Sequence, residues 1–362
     1  MIYPLLPAFV TITLGAGPAF LGLVEGVAES AASLLKLGSG WVSDRLPRRK
    51  PLVVAGYALS SFARPLCAVA AAPWHVLAIR LADRVGKGVR GAPRDALIAA
   101  ATDEAERGRA FGFQRAMDHA GAAIGPLLAS AALFLGAELR LVFGLAIVPA
   151  LLSLLTLVFG VREATLPQAP LATPKATLPA GPALRRYLAV LALFTLGNSS
   201  DAFLILRAQD AGVPLALVPL VWMLHSLVKA LLSTPLGALS DRVGRRAAIA
   251  AGFGAYALAY LGFAIVESPL AVVGLFAFYG LFHALVEGPE RALVASLAAP
   301  EARGHAFGLY HAVTGAMLLP ASLLTGALWQ AYGPALALGL GAALAALAAV
   351  LLLVLVKEPG PA

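Results

Sequence analysis

Apolar runs of about twenty residues recur along almost the whole chain, as in ALALGLGAALAALAAVLLLVLV at 335–356, and they leave it few ways to fold. With 60% of residues hydrophobic and 13% charged, a water-soluble fold would have too little polar surface to face solvent. The reading is an all-α membrane protein. Cutting at turn signals and charges gives about twelve spans, near 3–14, 18–42, 51–72, 74–99, 109–135, 139–160, 187–209, 214–239, 247–266, 269–298, 305–330 and 334–356. The first stretch lacks a basic leader and runs straight into further spans, so it reads as part of the mature chain. A single cysteine, Cys67, excludes an intrachain disulfide.

Segments joining even spans to odd ones carry Arg45, Arg48, Arg49, Lys50, Arg107, Arg162, Arg185, Arg186, Arg242, Arg245, Arg246 and Arg303, whereas the opposite connections hold almost no bases except Arg140. The basic connections belong in the cytoplasm, which places both termini there and expects a multi-pass protein of the cytoplasmic (inner) membrane. Topology thus accounts for the formal charge of +8, and no nucleic-acid partner is expected. A proline-rich stretch at 161–186 reads as a cytoplasmic linker between residues 1–160 and 187–357.

Those two parts repeat each other. GWVSDRLPRRK from Gly40 returns as GALSDRVGRRA from Gly237, APRDALIA as GPERALVA, and ERGRAFG as ARGHAFG, at offsets of 197, 196 and 196 residues. Gly40, Asp44, Arg45, Arg48 and Arg49, with Pro47 at the usual glycine, and again Gly237, Asp241, Arg242, Gly244, Arg245 and Arg246, resemble the loop signature of the major facilitator superfamily. Arg84, Lys87, Gly88 and Ala92 are similar to its fourth-helix signature. Gly121, Gly125 and Pro126 match part of the fifth-helix motif associated with antiporters, with Ala129 and Ser130 at its last glycines. The resemblance implies two six-helix bundles that alternate access to a central site, with Asp44 and Asp241 in the cytoplasmic gate. By the repeat offset, the counterpart of helix 7 would begin about nine residues before Met1, so helix 1 is expected as a half-length stub, through a misplaced start or a real truncation.

RLADRVGKGVRGAPRD at 80–95 packs charge into the fourth span. Spacings of four, three and four set Asp83, Lys87, Arg90 and Arg94 on one helical face, with Arg80 and Arg84 beside them. Facing lipid, the central members would together cost on the order of 10 kcal/mol. Two readings stand: pairing with acids on neighbouring helices, such as Glu25 and Glu29, or lining a polar cavity. GKGVRG satisfies G-x-G-x-x-G but has no strand before it, and its small residues read better as helix contacts.

The expected cavity set is Glu25, Glu29, Asp83, Arg84, Lys87, Arg90, Asp201, His283 and Glu287. Asp118 with His119, assisted by Arg84 and sharing its helical face with Arg115, is the expected proton-coupling group, because a titrating acid within the membrane is what coupling needs. A static Asp118–Arg115 pair is the alternative. Histidines are dispersed, so no metal site, cofactor or enzymatic constellation is expected. The expectation is a monomeric secondary transporter of a small solute, exchanging it for protons in efflux. Alternatives are a proton-independent facilitator or importer of a small metabolite, and a membrane-embedded substrate sensor. Across the second to fifth spans Lys36, Arg64, Arg80, Arg84, Lys87, Arg90 and Arg115 outnumber Glu25, Glu29, Asp83 and Asp118, which favours an anionic or amphiphilic solute.

Overall fold

The computed structural model describes residues 2–45, 48–103, 106–161, 181–298 and 302–356. Among them run twelve helices: α1 (Tyr3–Thr13), α2 (Pro18–Arg45), α3 (Lys50–Val69), α4 (Pro73–Ala100), α5 (Arg107–Phe134), α6 (Leu139–Gly160), α7 (Pro182–Asp210), α8 (Val218–Val243), α9 (Arg245–Ile265), α10 (Pro269–Ser296), α11 (Arg303–Tyr332) and α12 (Pro334–Leu355). Nine are long and apolar enough to cross a membrane. The other three fall short for visible reasons. The α1 helix is apolar but short, α4 carries too many charges, and only Ala120–Phe134 of α5 is apolar.

Proline in the first turn starts α4, α7, α10 and α12, where its missing N–H costs no helical bond. Because Pro182 does this for α7, the helix begins inside the expected linker, five residues ahead of 187; residues 162–180 of that linker lie outside the described residues. Gly244, with φ of 93°, turns α8 into α9 within one residue, a backbone region that side chains disfavour. Pro93 in α4 and Pro289 in α10 sit at matching points of the repeat, each inside a helix.

Within the first half α4 packs on α2 and α3, and α3 on α6; within the second, α10 packs on α8 and α9, and α9 on α12. Across the halves α2 packs on α11 and α5 on α8. Small residues permit the closest crossings: a Cβ on Gly22 would lie 2.3 Å from Ser322 O, and one on Gly326 would lie 2.7 Å from Pro18 O. Arg140, the basic exception among the base-poor connections, donates to Ala68 O and Ala70 O at 2.9 Å and so caps the end of α3. Arg207 does the same for α9 through Phe263 O and Val266 O.

Candidate functional site

The charged stripe of α4 faces protein. Arg80 clasps Glu25 of α2 with two hydrogen bonds, Nε to Oε1 at 2.9 Å and Nη2 to Oε2 at 2.8 Å, and both residues are buried. Arg84 reaches Glu29 at 2.8 Å. Asp83 accepts from Arg64 of α3 at 2.7 Å and lies 3.6 Å from Arg80. Buried charges are tolerable only when paired like this. Glu25 and Glu29 were legible as partners; Arg64 was not.

Opposite this cluster α7 unwinds at Asn198–Asp201, between α7a (Pro182–Gly197) and α7b (Ala202–Asp210). Lipid offers no partners to exposed backbone, so the break persists because tyrosines line it. Tyr256 OH donates to Gly197 O at 3.0 Å, Tyr279 OH donates to Asp201 Oδ1 at 2.7 Å, and Tyr260 OH lies 3.4 Å from Ser199 Oγ. Ser200 Oγ donates to Glu25 Oε2 at 3.2 Å, joining the broken helix to the ion-pair cluster. Deeper in the second half Glu287 pairs with Lys229 and lies 3.5 Å from His283, while buried Glu290 accepts from Tyr187 at 2.6 Å and Tyr310 at 2.8 Å. His225 stacks on Tyr279 and meets His283 edge-on.

Beside the cluster, inside the first half, lies a cavity of about 480 Å³. One wall, from α3 and α4, holds Arg64, Arg80, Asp83, Arg84 and Arg90; the other, from α5 and α6, is apolar, with Ile124 and Leu128 among its residues. Arg90 lies over the Tyr57 ring at 4.0 Å. Among the described residues no group of three His, Cys, Asp or Glu side chains converges as a metal site would require.

The profile of the Major Facilitator Superfamily matches residues 1–228 and again 188–362. The chain belongs to this superfamily. An uncharacterized MFS-type transporter of Methanocaldococcus jannaschii is 35% identical over 361 residues, covering 98% of this chain and 90% of that protein. The multidrug resistance protein MdtH of Edwardsiella ictaluri is 29% identical over 130 residues, covering 36% of this chain and 32% of that protein. The crystal structure of the nucleoside transporter NupG superposes with a TM-score of 0.78 at 14% identity, covering 98% of this chain and 95% of NupG, which shows the common fold. This superfamily member is a multi-pass membrane transporter and not an enzyme.

The superfamily's loop signature lies at the ends of α2 and α8. Side chains at 40–45 and Asp241 are outside the described residues. Arg48 and Arg242 are exposed, and space is open beside Gly237. Arg246 Nη1 donates to Val356 O at 2.9 Å and Arg245 Nη1 to Ala292 O at 3.5 Å, so these bases tie the start of α9 to α10 and to the end of α12. In the first half Lys50, one position beyond the signature, takes the equivalent post: its Nζ donates to Val158 O at 2.8 Å and Val161 O at 2.7 Å at the end of α6. The one-residue change in repeat offset, from 197 to 196, is the signal that would have found it.

Asp118 is exposed and accepts from Gln114 of its own helix; the side chains of Arg115 and His119 lie outside the described residues, and with them the alternative Asp118–Arg115 pair. Asp118 shares a face with Gly121 and Gly125, three and seven residues on, and both glycines line the cavity, with Pro126 inside the helix beside them. Lys87 is exposed, and Asp201 and His283 take the positions described above.

Proposed function

We propose that the chain is a secondary transporter of the cytoplasmic membrane, a monomer with cytoplasmic termini, that exports a small solute in exchange for protons. Two bundles, 1–160 and 187–357 joined by the linker 161–186, rock about the cluster where Glu25 meets Ser200. The observation that supports this reading is where the halves meet among the described residues. Gln330 Oε1 accepts from Ala19 N at 3.2 Å and Ser130 donates to Ala216 O at 2.7 Å, both on the side away from the basic loops, with the Gly22 and Gly326 contacts beside them, while Gly315 of α11 meets Ser33 of α2 near mid-span. This corresponds to a state closed to the outside. Gate opening and closing then involves the ends of α2 and α8, with Asp44, Arg45, Asp241 and Arg242 latching neighbouring helix ends.

Efflux is supported by the likeness of 130 residues to MdtH. This reading assigns proton coupling to Asp118, whereas Glu25, Glu29, Asp83 and Glu287 each have a cationic partner; Asp201 and Glu290, held by tyrosine hydroxyls, are the competing acids. Reconstitution into liposomes tests the reading: an imposed pH gradient should drive solute against its own gradient. Asp118→Asn should abolish that accumulation yet leave exchange between equal pools intact. Accumulation by the variant with unchanged pH dependence would remove Asp118 from this role. The second reading, a proton-independent facilitator or importer, is favoured by the ion-paired state of most intramembrane acids and predicts flux that ignores the pH gradient. Saturable binding without flux under any gradient would point instead to a sensor.

A further inference from the structure

The cavity in the first half is built unequally. Of its four guanidinium groups, three already face a carboxylate: Arg64 meets Asp83, Arg80 meets Glu25 and Arg84 meets Glu29. Arg90 has no carboxylate within 4 Å among the described residues and rests on the face of Tyr57. Arg84 is more than nine-tenths buried, and its Nε–H, 4.0 Å from Asp83 Oδ2, makes no hydrogen bond. A buried donor without an acceptor costs about 1–3 kcal/mol, and each such group in a native structure calls for an explanation. The four bases and the acids Asp83, Glu25 and Glu29 leave one positive charge uncompensated at the polar wall. Across from it Ile124 and Leu128 line the cavity with apolar side chains that are 55% and 54% exposed.

We propose that this cavity is the binding site of an amphiphilic organic anion: a carboxylate or phosphoryl head accepts from Arg84 Nε and the Arg90 guanidinium, and an apolar body lies along α5 and α6. The inference rests on the transport reading above and adds to it the solute's class and its place, displaced from the central cluster into the first half. Planar guanidinium groups suit both head groups, since their N–H donors match two acceptor oxygens side by side. At about 480 Å³ the cavity is of the size that encloses most of a small organic ligand. Gly121 and Gly125 line the cavity, so the α5 face that carries Asp118 one turn earlier borders it.

The test is a series of solutes with one apolar body and four heads, carboxylate, phosphonate, neutral amide and quaternary ammonium, added to purified protein in nanodiscs of zwitterionic lipid. Binding is read by thermal shift and calorimetry. The carboxylate and phosphonate members should bind, and the amide and ammonium members should bind at least tenfold more weakly. Arg90→Gln should weaken the anions tenfold or more, whereas Arg90→Lys, which keeps the charge and loses the fork, should weaken them less. Ile124→Trp leaves every charge in place and should reject long-bodied anions while keeping short ones, which guards against a variant that merely fails to fold. Ammonium binding equal to that of the anions, or anion binding untouched by Arg90→Gln, overturns the proposal. So does stabilisation by nanodiscs of anionic lipid when the soluble series is inert, because the site then holds a lipid. Flux separates the two claims: anion binding without flux leaves this site standing and removes the transport reading, and flux indifferent to head charge does the reverse.

Discussion

The two halves share a fold and differ at their centres. At positions 196 residues apart, Arg80 corresponds to Phe276, Asp83 to Tyr279 and Lys87 to His283, and at the 197-residue offset of α2 Glu29 corresponds to Ser226. The first half is held by ion pairs around α4; the second is held by rings, with Phe194 stacked on Phe253 at 3.8 Å and Tyr256 on Tyr260 at 4.0 Å, and by tyrosine hydroxyls at the break in α7. The helix ends, by contrast, are alike: Lys50 caps α6 as Arg246 caps α12, and Arg140 caps α3 as Arg207 caps α9. Chain topology is thus fixed by the ends, and the chemistry is set by a few interior positions.

The contrast predicts unequal brittleness. Glu25→Leu would strand Arg80 in the interior without its bidentate partner and should cost about 3–5 kcal/mol. Adding Arg80→Met should recover most of that stability while transport stays lost. Thermal unfolding of the single and double variants in one lipid checks both statements. At the aromatic centre, Tyr279→Phe removes one hydrogen bond to Asp201 and leaves the stacked ring, so its cost should be about 1.5–3 kcal/mol by the same measurement. Equal losses for Glu25→Leu and Tyr279→Phe would break the comparison.

The smallest effect concerns the ends. Lys50→Met and Arg246→Met each remove a cation from helix C-terminal carbonyls and should cost a similar amount, about 0.3–1 kcal/mol. A large difference between the two would show that the halves diverge at their ends as well as at their centres.

Much of this was legible in the sequence. Helix limits followed from prolines, glycines and charges, which act locally, and the repeat located both copies of the loop signature. Glu25 and Glu29 could be named as partners for the α4 arginines because membrane burial leaves charges few alternatives. Arg64 was hidden: its pairing with Asp83 depends on how α3 rotates against α4, which periodicity does not fix. The break in α7 was also missed. GNSS at 197–200 is weak helix-forming sequence, but whether such a stretch unwinds depends on distant tyrosines, of which Tyr256 takes the Gly197 carbonyl and Tyr260 meets the Ser199 hydroxyl. The cavity arises from the packing of α3–α6 and has no linear signature at all.

Rocking of the two halves is the central claim, and distance measurements between spin labels test it most directly. In a Cys67→Ser background, one pair at Ala71 and Ser268 reports on the outer side, and a second pair at Arg48 and Arg242 reports on the side of the basic loops; all four positions are exposed. As transported solute is added, the account predicts that the outer distance grows while the inner distance shrinks. Both distances moving together, or neither moving in protein that transports the solute, would contradict it.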